Sequence, residues 1–114
     1  MKFTIEQNDP TVIAISGDVL GGADAMEFAR AVAEQVQAGA RQVVVDLADV
    51  HLMNSSGLGM LVAASTSLRS GGGRLLVVGA NEHIRSLLKM TRLDTVFASF
   101  QTRDEAVEAC RQTN

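Results

Sequence analysis

Residues 42–60 read QVVVDLADVHLMNSSGLGM, and this stretch indicates how the chain folds. The apolar run Val43-Val44-Val45 is typical of a β-strand that is covered on both faces, as the strands of a parallel sheet are. The polar run Asn54-Ser55-Ser56 follows, and asparagine and serine are residues that cap helix N-termini. We therefore predict a buried strand, a loop and a helix, in that order.

Two glycines, Gly57 and Gly59, fall in the first turns of the predicted helix. Glycine inside a helix costs about 1 kcal/mol relative to alanine. Their presence indicates that something must approach the backbone closely here, or that a serine hydroxyl must stay uncovered.

The same order of elements repeats toward the C-terminus. Residues 74–78 predict a second buried strand, Asn81 the N-cap of a helix, and residues 96–100 a short strand. Thr102 and Glu105 have the spacing of a capping box, which predicts a terminal helix. Strands that alternate with helices favour a parallel sheet with right-handed crossovers.

The first forty residues predict a hairpin and a long helix. Alternation over residues 2–6, a turn at Asn8-Asp9-Pro10 and β-branched residues up to Ile15 indicate two antiparallel strands. Asp24 is the expected N-cap of the helix, with Glu27 reaching back as in a capping box. The predicted fold is one α/β domain of 114 residues, with a small, mixed, mostly parallel sheet, an N-terminal hairpin and about four helices.

Composition argues against several classes of function. Of the residues, 46% are hydrophobic, the net charge is −3, and the aromatic residues are four phenylalanines. A basic footprint and an aromatic stacking platform are both missing, so nucleic acid is not an expected partner. Cys110 is the single cysteine, which rules out an intrachain disulfide, and we expect it to be buried. Apolar segments are too short for a membrane span, which indicates a cytoplasmic domain without membrane insertion.

Catalytic and metal sites are weakly supported. Neither Ser55 nor Ser56 has a glycine two positions before it, so neither fits the Gly-x-Ser-x-Gly elbow of a hydrolase. His51 is near Ser55 in the sequence, but a triad also needs an orienting carboxylate and an oxyanion hole. Two isolated histidines do not make a zinc site. We expect no enzymatic activity, no metal and no cofactor, and a hydrolase that uses Ser55 and His51 is the weakest alternative.

The pair Ser55-Ser56 supports two interpretations. In the first, one of these serines, or Asn54, only caps the helix and stabilises it by about 1 kcal/mol relative to alanine. In the second, a serine is phosphorylated, and the phosphate meets free N–H groups at the positive end of the helix dipole. The phosphate would add about −1.5 to −2 charge to the surface and displace a partner packed there. The residues alone do not decide between cap and switch.

Asp46-Leu47 followed by residues 53–59, MNSSGLG, resembles the signature of STAS domains of the anti-sigma factor antagonist type. The resemblance extends from Gly17-Asp18 to residues 87–93, LLKMTRL, and so covers nearly the whole chain. It implies a bacterial switch protein that binds an anti-sigma factor serine kinase with a histidine-kinase-like ATP fold. It also implies that this kinase phosphorylates Ser55 and that a metal-dependent phosphatase of the PP2C type resets the switch.

The resemblance further implies a partner-binding surface around Ser55, at whose rim or base lie Asp18, Asn54, Ser56, Gly57, Gly59 and Met60. Ser56 is expected to be a neighbour or a cap, and the two glycines to provide the clearance that a kinase needs. The family usually has Asp where this chain has Asn54. Many members also have a Gly-Glu-Leu-Asp segment, where this chain reads Gly17-Asp18-Val19-Leu20, so the first acid is kept and the second is lost.

A second function is compatible with the same face. A STAS accessory module of a transport system, such as a lipid-trafficking complex, would use it for docking without phosphorylation. The intact Ser-Ser-Gly-Leu-Gly stretch at 55–59 favours the switch. Recovery of an ABC-transporter ATPase instead of an anti-sigma kinase in a pull-down would favour the transport module.

Overall fold

The computed structural model describes residues 1–7 and 9–112, which form a five-stranded sheet and four α-helices. Along the chain the elements are β1 (Lys2–Glu6), β2 (Thr11–Ser16), α1 (Ala23–Gln37), β3 (Gln42–Asp49), α2 (Ser55–Ser70), β4 (Arg74–Val78), α3 (Glu82–Met90), β5 (Ala98–Phe100) and α4 (Arg103–Gln112). A 3₁₀ turn at Leu93–Thr95 joins α3 to β5. The predicted α/β class and element order are confirmed.

The strands lie in the order β1-β2-β3-β4-β5, so each strand pairs with its neighbours in the sequence. β1 and β2 are antiparallel, with Phe3 opposite Ile15, and β2 to β5 are parallel. Three connections join the parallel strands, and each leads to the next strand in the same direction across the sheet. Because such crossovers are right-handed, the helices that they contain, α1, α2 and α3, lie on one face. α4 packs on the other face, against β3, β4 and β5.

Two apolar cores lie on the two faces of the sheet, because side chains alternate along each strand. The larger core holds side chains of α1, α2, α3 and the facing strands, among them Phe28, Val43, Val45, Leu61 and Ile84. The smaller core lies beneath α4 and includes Val44, Leu76 and Cys110. Val44 therefore faces away from its two neighbours, and β3 is covered on both faces as predicted.

Two predicted helix caps outside the serine segment are confirmed. Asn81 Oδ1 accepts a hydrogen bond from Ile84 N at 2.9 Å, at the start of α3. At α4, Glu105 N donates to Thr102 Oγ1 at 3.2 Å and Thr102 N donates to Glu105 Oε1 at 3.1 Å. These bonds form the reciprocal capping box that the Thr-x-x-Glu spacing indicated.

The capping box predicted at Asp24 and Glu27 is wrong. α1 begins at Ala23, and its N-cap is Gly22, which supplies no side-chain hydrogen bond. Gly22 has φ of 72°, in the left-handed region where glycine is favoured. Asp24 lies inside the first turn, and its carboxylate accepts a hydrogen bond from the Met1 amino group at 3.3 Å. An acid in that position also interacts favourably with the helix dipole.

Two further expectations concern the first turn and the membrane. Asp9 and Pro10 lie in a bend between β1 and β2, and Asn8, the remaining residue of the predicted turn, lies outside the described residues.

Among the described helices, none has the length and apolar character needed to cross a membrane.

Candidate partner-binding site at the start of helix α2

Asn54 caps α2 at its N-terminus. Its Oδ1 accepts a hydrogen bond from Gly57 N at 2.8 Å, and its carbonyl oxygen accepts one from Leu58 N at 2.9 Å. Ser55 and Ser56 are the first two residues of the helix. Both serines are exposed, and neither side chain forms a hydrogen bond with the part of the chain that the structure describes. The sequence left open which of Asn54, Ser55 and Ser56 caps the helix. In the structure the cap is Asn54.

The loop between β2 and α1 lies against the start of α2. Val19 forms an isolated parallel bridge with Met53. Val19 N donates to the carbonyl oxygen of Leu52 at 2.9 Å, and Asn54 N donates to the carbonyl oxygen of Val19 at 3.3 Å. These bonds extend the pairing of β2 and β3 beyond the strand ends. They fix the position of the residue that immediately precedes the two serines.

Gly57 is required by this loop. A Cβ atom on Gly57 would overlap the carbonyl oxygen of Val19 and lie 2.9 Å from its Cγ1. The clearance predicted at Gly57 is therefore filled by the protein's own chain. Gly59 differs, because nothing lies within 4 Å of a Cβ atom built there. Of the two glycines, only Gly59 leaves open space beside the helix.

Ser55 and Ser56 have different surroundings. A Cβ atom on Gly21 would lie 2.9 Å from Ser56 Cβ, and the three atoms nearest to that position all belong to Ser56. Gly21 has φ of 87°, so glycine is favoured there on conformational grounds as well. The backbone of the β2–α1 loop thus packs on Ser56. Ser55, the preceding residue, contributes none of the three atoms nearest to this position.

A second support for the site comes from the start of α3. Asn81 Nδ2 donates to the carbonyl oxygens of Val50 at 3.2 Å and His51 at 3.1 Å, in the loop that leads to α2. His83 Nε2 lies 3.2 Å from the carbonyl oxygen of Met53. Sequence analysis identified Asn81 only as a cap. Its second role had no local signal, because it depends on how two crossover connections meet in space.

The remaining predicted site residues divide into exposed and buried ones. Asp18 is exposed on the β2–α1 loop. Met60 is 6% exposed, and its side chain belongs to the larger core. Two residues that the sequence analysis missed are Leu20 and Leu52, which are 47% and 45% exposed. They lie on the two segments that the Val19 bridge joins, and they give the site exposed apolar area.

The arrangement does not form a nucleophile–base pair. Ser55 and His51 are both exposed, and no hydrogen bond joins them in the described structure. The described residues contain no group of three or more His, Cys, Asp or Glu side chains that could hold a metal ion. The geometry instead presents two serine hydroxyls and exposed leucine side chains at a helix N-terminus.

This fold and this helix start are those of a STAS domain. The family model of the STAS domain matches residues 2–106, and the chain belongs to this family.

Several relatives within the family have been named or solved. The Bordetella bronchiseptica protein BtrV, named as a candidate anti-sigma factor antagonist, is 28% identical over 109 residues, which are 96% of this chain and 94% of that protein. A Thermotoga maritima protein named in the same way is 32% identical over 79 residues, 69% of this chain and 70% of the relative. The crystal structure of an anti-sigma factor antagonist from Mycobacterium paratuberculosis matches with a TM-score of 0.83 at 28% identity, over 96% of this chain and 93% of the other.

Proposed function

We propose that this protein is an anti-sigma factor antagonist that binds an anti-sigma factor serine kinase and is controlled by phosphorylation of Ser55. One observation carries the proposal. Because Asn54 supplies the capping oxygen of α2, the Ser55 hydroxyl is exposed and has no structural bond among the described residues. The names of the family relatives support the partner class.

The start of α2 can accept a phosphate while the fold persists. The N–H groups of Ser55 and Ser56 are not used by the helix ladder, as is general for a first helical turn. They lie at the positive end of the helix dipole, where an anion is favourable. The neutral amide of Asn54 places no carboxylate immediately before the modified serine. Phosphorylation would therefore change the charge of the surface and leave the fold intact.

Ser55 is the better acceptor of the two serines. A kinase must bring the serine oxygen to the γ-phosphate of ATP in line with the leaving oxygen, which requires room around the hydroxyl. The close packing of Gly21 on Ser56 restricts that room on one side. Ser55 precedes this contact, and Gly59, one turn further along the exposed side of α2, leaves open space.

The surface for the kinase, here called the serine surface, consists of Asp18, Leu20, Leu52, Asn54, Ser55, Ser56 and Gly59. A partner packed on it would remove the exposed parts of Leu20 and Leu52 from water, which favours binding. A phosphate adds about −1.5 to −2 charge in the same place and must be desolvated when the partner binds. The phosphorylated form would thus release the kinase, and a PP2C-type phosphatase would restore binding.

Phosphorylation mapping tests this function. The protein is incubated with its candidate anti-sigma factor kinase and ATP, and the phosphate is located by mass spectrometry. We expect one phosphate on Ser55, none in Ser55→Ala, and normal incorporation in Ser56→Ala. Ser55→Ala should stay bound to the kinase in the presence of ATP, and Ser55→Asp should bind weakly.

Two outcomes would contradict the proposal. Phosphate retained in Ser55→Ala and lost in Ser56→Ala would identify Ser56 as the acceptor. Failure to bind any anti-sigma factor kinase, together with recovery of an ABC-transporter ATPase in a pull-down, would establish a docking module of a transport system instead.

A further inference from the structure

A cavity of about 740 Å³ opens at the amino ends of the parallel strands, and the serine surface lies at their carboxyl ends. It lies where β2, β3 and β4 begin, since its lining includes their first residues Thr11, Gln42 and Arg74. β3 is eight residues long, which separates the two ends by roughly 25 Å. The volume is that of an ordinary small-molecule site. The cavity therefore has the size for a ligand and is remote from the proposed kinase site.

Gln35 supplies an amide that is buried at the wall of this cavity. The residue is 6% exposed, and its side chain forms no hydrogen bond with any described residue. Every fully enclosed side-chain nitrogen or oxygen among the described residues has a partner, so the amide of Gln35 must retain contact with solvent. The space that Gln35 lines is the cavity. An amide that contacts solvent and has no protein partner is available to form hydrogen bonds with a ligand.

Arg41 supplies a positive charge at the same cavity. Its guanidinium Nη1 lies 3.5 Å from the position of a Cβ atom built on Gly72, which places the charge over the glycine turn before β4. The described residues provide Arg41 with neither an ion pair nor a side-chain hydrogen bond. Arg74 also lines the cavity, and its Nε donates to Gln42 Oε1 at 3.1 Å. Among the described lining residues, Asp9 carries the one carboxylate, beside the two arginines.

The close approach of two backbone segments builds this wall. A Cβ atom on Gly73 would overlap the carbonyl oxygen of Arg41, which accepts a hydrogen bond from Arg74 N at 2.8 Å. Gly39, with φ of 97°, has nothing within 4 Å of its Cβ position and borders open space. Gly73 thus lets the backbone at Arg41 pack against the turn before β4, and Gly39 adds no side chain to the cavity.

We propose that this cavity binds a small anionic metabolite. Its carboxylate or phosphate group pairs with the guanidinium of Arg41, and a second polar group forms a hydrogen bond with the amide of Gln35. Guanidinium groups bind both kinds of anion through parallel hydrogen bonds.

Titration of the full chain with inorganic phosphate and, separately, with succinate tests the proposal, with amide shifts followed by ¹⁵N NMR. We expect saturable shifts at Gly39, Arg41 and Gly72 with at least one of the two anions, and none with sodium chloride at matched ionic strength. Saturation by phosphate alone identifies a phosphate-bearing ligand, and saturation by succinate alone identifies a carboxylate.

Two variants and one control locate the binding groups. Arg41→Gln should weaken binding by about tenfold or more, as expected when a hydrogen bond to a charged group is lost. Arg85→Gln on α3, which removes an exposed arginine outside the cavity lining, should leave the affinity unchanged. Gln35→Met keeps the length of the side chain and should weaken binding without lowering the midpoint of thermal unfolding.

Three results would overturn the proposal. Shifts that do not saturate, or that sodium chloride reproduces, would exclude a site. Equal weakening by Arg41→Gln and Arg85→Gln would show nonspecific attraction. If folded Gln35→Met binds the anion as tightly as the native chain, the amide of Gln35 does not contact the ligand.

Discussion

The carbonyl oxygen of Val19 occupies the place that a Cβ atom on Gly57 would take. The same carbonyl accepts a hydrogen bond from Asn54 N, the residue that caps α2. One peptide group of the β2–α1 loop therefore both requires a glycine in the first turn of α2 and positions the cap beside the two serines. This contact explains a glycine at a position where helix propensity alone would disfavour it by about 1 kcal/mol.

Alanine at the two glycines of α2 should have opposite effects. Gly57→Ala should lower the free energy of unfolding by about 1–3 kcal/mol, the usual range for an overpacked site, because the loop at Val19 must move. Gly59→Ala should raise it by about 1 kcal/mol, since alanine favours the helix and nothing obstructs its methyl group. Urea denaturation of both variants measures the difference. Similar changes in the two variants would show that the contact with Val19 does not decide the residue at 57.

The cap of α2 should depend on the acceptor oxygen at position 54 rather than on the amide. Asn54→Ala should lower the free energy of unfolding by about 1 kcal/mol. Asn54→Asp keeps the acceptor and adds a negative charge at the positive end of the dipole, so the unmodified variant should be at least as stable as the native chain. Thermal unfolding of the three proteins tests this order. A loss in Asn54→Asp as large as in Asn54→Ala would disprove it.

Asn81 should act on the serine surface through the loop at Val50 and His51. Asn81→Asp retains the oxygen that caps α3 but places a carboxylate against two carbonyl oxygens, where the amide now donates. We expect faster hydrogen exchange of the amides of residues 50–54 and weaker binding of the kinase. Unchanged exchange in the loop would mean that Asn81 serves α3 alone.

Arg103 links three elements on the face that carries α4. Its Nε donates to Asp46 Oδ2 and its Nη1 to Glu6 Oε2, each at 2.7 Å. The hydrogen bond that Arg103 donates to Asp46 is the main cause that raises the pKa of Arg103, and the guanidinium stays charged. Because these side chains are partly exposed, Arg103→Gln should cost only about 0.2–1 kcal/mol. The difference from the native chain should shrink in 1 M salt, and a difference that salt leaves unchanged would argue against an ionic origin.

Cys110 should be protected in the native protein. Burial raises the pKa of its thiol, and the charge of Arg74 lowers it by less, so the neutral thiol persists to higher pH than in an unfolded chain. The stability from this shift is complete below the pKa of the unfolded thiol and is lost as the pH rises through the native pKa. A thiol reagent at pH 8 should therefore react slowly with native protein and quickly in urea. Equal rates would show that the smaller core opens readily.

The sequence by itself determined the element order and the strand–helix connectivity, because hydrophobic period and capping side chains act over a few residues. The buried run at Val43–Val45, the cap at Asn81 and the capping box at Thr102 were all readable in this way. The same local rule failed at Asp24. There the chain turns at Gly22, which has a positive φ, and α1 begins directly after it. The spacing of capping residues in the sequence does not reveal where such a turn ends.

Only the tertiary structure decided how the surroundings of Ser55 and Ser56 differ. It also decided that another segment of the chain occupies the space beside Gly57 and not the space beside Gly59. Gly21 packs on Ser56 and Val19 packs on Gly57, although each pair is far apart in the sequence. The exposure of Leu20 and Leu52, the second role of Asn81 and the cavity at Gln35 and Arg41 likewise depend on where separate connections meet. Parallel strands bring such connections together at a common edge, and steric contact between them is a property of the fold that no local pattern encodes.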